Sequence, residues 1–169
     1  KYGSTFKTKK NKFYALRFVS GLEIGAVEQW YAMNRANNLQ EFKTALSQQG
    51  LVCTNIAYAD KEDNIYYISN GKVPVRSKDY DWKEVLPGNT SKTLWKDSFV
   101  PLDSLPQVLN PEAGYVFNTN NTPFSSTGNN ENPKETALNQ TMGYQETGIE
   151  NNRSKRFLEL ISQYEKLSW

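Results

Sequence analysis

A chain of 169 residues with 20 basic and 18 acidic side chains has a net charge of +2, too balanced for the clustered Lys/Arg face that nucleic acid requires. It contains no histidine, which removes Ser-His-Asp and Cys-His catalysis and every His-ligated metal site that the chain could build alone. No run of about 18 apolar residues reads as a membrane span, and the lone cysteine, Cys53, cannot close an internal disulfide.

The first predicted element is a hairpin. Residues 4–7 pair with the partly alternating run 12–19, and Lys7, Lys9, Lys10 and Lys12 decorate its solvated end. Residues 23–36 follow as a helix whose Val27, Trp30, Tyr31 and Met33 recur near helical spacing as packing positions. Asn38 then caps a second helix: Glu41 stands three residues on, Leu39, Phe42, Ala45 and Leu46 share one face, and Gly50 supplies the stop.

Residues 54–59 and 65–69 read as two strands joined by the acidic turn Asp60-Lys61-Glu62-Asp63-Asn64. Asp60, Glu62 and Asp63 are hard oxygen donors, yet no EF-hand spacing accompanies them, so a solvated turn is the better account than Ca²⁺. From 73 to 110 the chain is a long irregular excursion anchored by Leu94-Trp95 and Phe99-Val100. Gly114-Tyr115-Val116-Phe117 has the content of a buried strand and leads into Asn118-Thr119-Asn120-Asn121. An asparagine there forms a turn or offers its side-chain N–H to a developing oxyanion. Residues 124–152 show no hydrophobic period and read as a functional lid or a disordered segment. The sequon Asn139-Gln140-Thr141 inside it carries no weight in so Asn-rich a chain. Asn151 or Asn152 caps a final helix with Phe157, Leu160, Ile161, Tyr164 and Leu167 on one face.

Composition leaves two classes open. Hydrophobic residues make up 37% of the chain, and four Trp, ten Tyr and eight Phe supply much of what can be buried, at about 150–250 Å² each. That profile fits a piece of a larger core. It also fits a small extracellular carbohydrate- or ligand-binding module, in which Trp82 and Trp95 would stack on a sugar.

Tyr14-Ala15-Leu16-Arg17-Phe18, Asn55-Ile56-Ala57-Tyr58-Ala59-Asp60, Asn64-Ile65-Tyr66-Tyr67, Gly71-Lys72-Val73-Pro74-Val75-Arg76, Trp95-Lys96, Leu105-Pro106-Gln107, Asn110-Pro111 and the Asn120-Asn121 pair resemble, in that order, the β-subunit of the penicillin acylase and acyl-homoserine-lactone acylase family. These are N-terminal-nucleophile hydrolases. The resemblance implies an α+β fold, part of an αββα sandwich with antiparallel strands, flanking helices and long loops. It makes residues 1–169 one internal fragment: 1–123 the matching segment, 124–150 an irregular loop, 151–168 the last helix. It departs at Asp63 and Tyr66, where the family often has glycine.

The resemblance also implies the chemistry, cleavage of an N-acyl amide by a Ser, Thr or Cys at the N-terminus of the β-subunit. Its own α-amine serves as base, with a reference pKa of about 7.7–8.0, so no histidine is needed. Lys1 is not such a nucleophile, and Tyr2-Gly3-Ser4 stands where the family often has His-Gly-Pro, which implies a chain opening partway through the subunit. Asn120 maps onto the oxyanion donor. Thr54, with Cys53 and Ile56 beside it, maps near the acyl pocket or else fills ordinary core positions. Arg153, or Arg156 in its place, would hold Asn120 and the substrate. The implied partners are a small-molecule N-acyl amide and the remainder of the acylase, its α-subunit and the N-terminal part of its β-subunit, in the periplasm or secreted. No cofactor is implied; some members hold a structural Ca²⁺ whose ligands do not match this segment. Acyl and amine specificity stay open.

Overall fold

The computed structural model describes residues 2–21, 24–135 and 150–164, with the side chain of Asn129 outside the description. Residues 136–149 of the 124–152 loop, the sequon within them, Glu23 and Leu167 therefore lie outside the described residues. The chain divides into two compact units, one from residues up to 54 with 70–105, the other from 55–69, 106–135 and 150–164.

In the first unit, β1 (Ser4–Lys7) and β2 (Phe13–Leu16) form an antiparallel hairpin in which Phe6 faces Tyr14. Its lysine-rich end is exposed, and Asn11 takes φ 56° to close the turn. Val19 leaves the expected strand and enters a 3-10 turn, Val19–Gly21.

α1 (Ala26–Arg35) reverses the expected helix face. Val27, Trp30 and Tyr31 are 76%, 57% and 62% exposed, while Gln29 is fully buried. The reason is a hydrogen bond: Leu51 N–H donates to Gln29 Oε1 at 2.8 Å, and a buried amide so satisfied costs little. α2 (Leu39–Leu46) agrees with its sequence. Asn38 Oδ1 accepts from Glu41 N at 2.9 Å, Asn38 Nδ2 donates to Glu41 Oε1, and Glu41 Oε2 accepts from Asn37 N. Phe42, Ala45 and Leu46 are buried. Gly50 is not the helix stop. The helix ends at Leu46, and a Cβ on Gly50 would collide with the Gly25 carbonyl oxygen, so close backbone approach is what requires glycine there.

The 73–105 excursion is irregular apart from two 3-10 turns, Ser91–Thr93 and Leu102–Ser104, and a bridge between Pro74 and Phe99. Cations occupy its tryptophans. The Arg76 guanidinium lies 5.3 Å from the Trp82 ring and 4.9 Å from Trp95, Arg17 lies 5.1 Å from Trp95, and Trp82 Nε1 donates to Ser77 O. These contacts favour loop anchoring over sugar stacking.

A three-stranded sheet has the order β3 (Cys53–Ala59), β4 (Ile65–Gly71), β5 (Gln107–Leu109). β4 is central, and Tyr66, Tyr67, Ile68, Ser69 and Asn70 are all buried, so both its faces are covered. β5 was not expected, since three residues carry no readable period; Tyr67 faces Val108 in the antiparallel β4–β5 register. In the turn between β3 and β4 Asp63 adopts φ 60°, a left-handed conformation that Asp tolerates better than most residues.

Candidate active site

The expected strand at 114–117 forms no ladder: Gly114 is a bend at φ 73° and residues 115–117 are irregular. Phe117 N donates to Ser126 O and Thr127 Oγ1 donates to Tyr115 O, but the aromatic rings turn to a helix instead of a neighbouring strand. That helix is α3 (Asn152–Ile161). Its Phe157 stacks on Phe117, with centroids 4.3 Å apart and planes 20° apart, and meets Tyr115 edge-on at 5.9 Å. Burial pushes the Tyr115 hydroxyl pKa up.

The segment delivers the chain into a tight asparagine turn. Asn118 Oδ1 accepts from Asn120 N at 3.0 Å, and Asn121 Oδ1 accepts from Thr119 N at 2.7 Å and from Thr119 Oγ1 at 2.9 Å. Asn121 is buried and its Nδ2 donates to Ser125 O and Thr122 O. Asn120 is exposed with φ 60°. The turn reading and the presented amide are therefore two aspects of one structure: Asn121 turns inward to hold the loop, and Asn120 turns outward.

α3 is hooked to this turn at two points. Asn151, its N-cap, accepts from Arg153 N and Ser154 N through Oδ1 and donates through Nδ2 to Thr119 O at 3.1 Å. Arg153 Nη2 then donates to Asn120 Oδ1 at 3.4 Å. With Oδ1 facing the guanidinium, Nδ2 points the other way, and among the described residues nothing accepts from it. Arg156, the alternative by sequence, pairs with Glu159 at 3.1 Å.

Thr54 lies half-buried on β3 in the first unit, and Asn120 and Arg153 lie in the second. Cys53 is exposed and Ile56 is buried. Asn55 and Asn118 were overlooked in the sequence although both touch the turn: Asn55 Nδ2 donates to Asn118 Oδ1 at 3.2 Å. The Asn-x-Asn spacing of 118 and 120 was the one available signal, since an Asn side chain commonly bonds the backbone two residues on.

In the 60–64 turn Asp60 accepts from Glu62 N, Asn64 N, Asn64 Nδ2 and Tyr58 Oη. Burial works to raise the Asp60 pKa, but the hydrogen bonds from Asn64, Tyr58 and Glu62 outweigh it and hold the carboxyl below its usual value. Burial, then the bond to Asp60, pushes Tyr58 up to about 12. Among the described residues no helix is long and apolar enough to cross a membrane.

Residues 2–169 match the family model described as penicillin amidase. A penicillin G acylase from Escherichia coli is 34% identical over 119 residues, 70% of this chain and 14% of that protein. The solved thermostable penicillin G acylase from Alcaligenes faecalis superposes with a TM-score of 0.72 at 27% identity, over 96% of this chain and 27% of the other. The chain thus spans about a seventh of the curated relative's length.

Proposed function

The chain belongs to the penicillin amidase family of amide hydrolases, and from that premise we propose that it is a segment of an acylase β-subunit supplying the oxyanion side of the site through Asn120. The attacking Ser, Thr or Cys comes from another part of the protein. Its hydroxyl or thiol adds to the carbonyl of an N-acyl amide while its own α-amine takes the proton. The carbonyl oxygen becomes negative, and Asn120 Nδ2 donates to it. Collapse expels the amine with that proton, and water releases the acyl group from the nucleophile.

One observation carries the reading: an exposed amide on a braced turn, its oxygen engaged by Arg153 and its Nδ2 without an acceptor among the described residues. A donor fixed before reaction costs no reorganisation when the charge appears. Arg153 fixes the orientation of that amide. The exposed apolar face of Val27, Trp30 and Tyr31 on α1 is what the remainder of the acylase covers, since a contiguous exposed apolar patch usually marks an interaction surface. The whole enzyme is periplasmic or secreted, by family resemblance.

Replacing Asn120 by Ala in the complete acylase is expected to lower kcat by about 10²–10³-fold, the usual loss for one oxyanion donor. A drop below about threefold would remove Asn120 from the mechanism.

A further inference from the structure

We propose that Asn118 and Asn55 are positioning residues that aim the Asn120 amide, and this inference rests on the function proposed above. The direction of Asn120 Nδ2 follows from its backbone, which is held in the left-handed region at φ 60°. That conformation is disfavoured for any residue with a side chain, and Asn adopts it where a local hydrogen bond compensates. Here the bond is the one from Asn120 N to Asn118 Oδ1, 3.0 Å long.

Asn118 is itself on an exposed turn, and alone it would swing with the turn. Its oxygen has two lone pairs, and the second receives Asn55 Nδ2 at 3.2 Å. Asn55 belongs to β3, the strand beside central β4. The donor is thus referenced to the sheet through Asn55, Asn118 and the Asn120 backbone, in a line that touches neither the substrate nor the reacting atoms. Arg153 sets the rotation of the amide from the other side. Two constraints from different elements, a strand and a helix, hold one side chain.

The arrangement assigns each group a direction. Among the described residues the Asn118 side chain acts as an acceptor and the Asn55 side chain as a donor. Asn118→Ser keeps an uncharged oxygen able to accept from the amide two residues on, whereas Asn118→Ala removes it. Asn55→Asp puts an acceptor where a donor is needed.

The test is kinetic, in the complete acylase, with the concentration of working sites counted by burst titration so that unfolded protein does not enter. Asn118→Ala and Asn55→Asp are expected to lower kcat by about 10–100-fold with KM within about threefold, because misplacement on the scale of 1 Å costs up to about 10²-fold in the chemical step. Asn118→Ser is expected to recover most of the loss. In an Asn118→Ala background, Asn55→Ala should add less than threefold, since the oxygen it served is gone. If Asn120→Ala loses kcat as expected but Asn118→Ala and Asn55→Asp both stay within threefold of wild type, the positioning role is wrong and the oxyanion reading stands. Losses in KM alone, or no recovery with Ser, would equally overturn it. If Asn120→Ala itself has no effect, the function proposed above fails first.

Discussion

Phe157 lies stacked on Phe117 at 4.3 Å, and this contact seats the N-terminus of α3 against the asparagine turn. Truncating Phe157 to Ala should cost about 2 kcal/mol, below the 3–5 typical of a fully buried Phe because the ring is half-exposed. Urea denaturation of the acylase carrying the change measures it. A change below about 0.5 kcal/mol would show that α3 is held by other contacts.

Arg153 reaches Asn120 through a long, exposed hydrogen bond of 3.4 Å. A bond to a charged group is worth about 1.5–3 kcal/mol, and this length and exposure place it at the low end. Arg153→Met, which keeps the aliphatic stem, should therefore reduce kcat about tenfold. Steady-state kinetics decide the matter: a rise in KM at constant kcat would mean that the arginine holds substrate and not Asn120.

The Tyr58–Asp60 pair ties stability to pH at both extremes. Tyr58 is raised to about 12 from about 10 in an unfolded chain, so its contribution is fully present below pH 10 and is lost as pH rises towards 12. Phenolate absorbance near 295 nm should show one tyrosine ionising late, and Tyr58→Phe should abolish that step. Asp60 is lowered, so its contribution is present above about pH 4 and is lost as pH falls below. The stability gap between wild type and Asp60→Asn should narrow under acid; a constant gap from pH 7 to 3 would contradict the hydrogen-bonded carboxylate.

Gly50→Ala pits two effects of opposite sign. Removing a glycine from an unstrained site stabilises by about 0.4–1 kcal/mol through the unfolded chain. At Gly50 the new methyl meets the Gly25 carbonyl, and overpacking costs about 1–3 kcal/mol. Net destabilisation is expected in a denaturant titration, and stabilisation would show that the two backbones are not in contact.

Local elements were legible because their signals are local. Asn38 and Glu41 cap α2 through atoms three residues apart, Asn151 caps α3 through its own neighbours, and the hairpin turns sit where polar residues interrupt apolar ones. The family could be read from motifs in order. On α1, Val27, Trp30 and Tyr31 share a helical face that is exposed in this chain; periodicity reports a face and not its partner. β5 escaped because a three-residue strand becomes one only when Tyr66, Tyr67 and Ile68 lie alongside.

By itself, then, the sequence determined the family, the helix N-caps at Asn38 and Asn151 and the polar turn residues, since each rests on residue type and short spacing. Only the tertiary structure decided that Asn120 faces outward with Arg153 rather than Arg156 at its oxygen, and that Asn55 reaches Asn118 across 63 residues of chain. Hydrogen bonds between distant segments depend on where the backbone brings two side chains, and no local pattern encodes that distance.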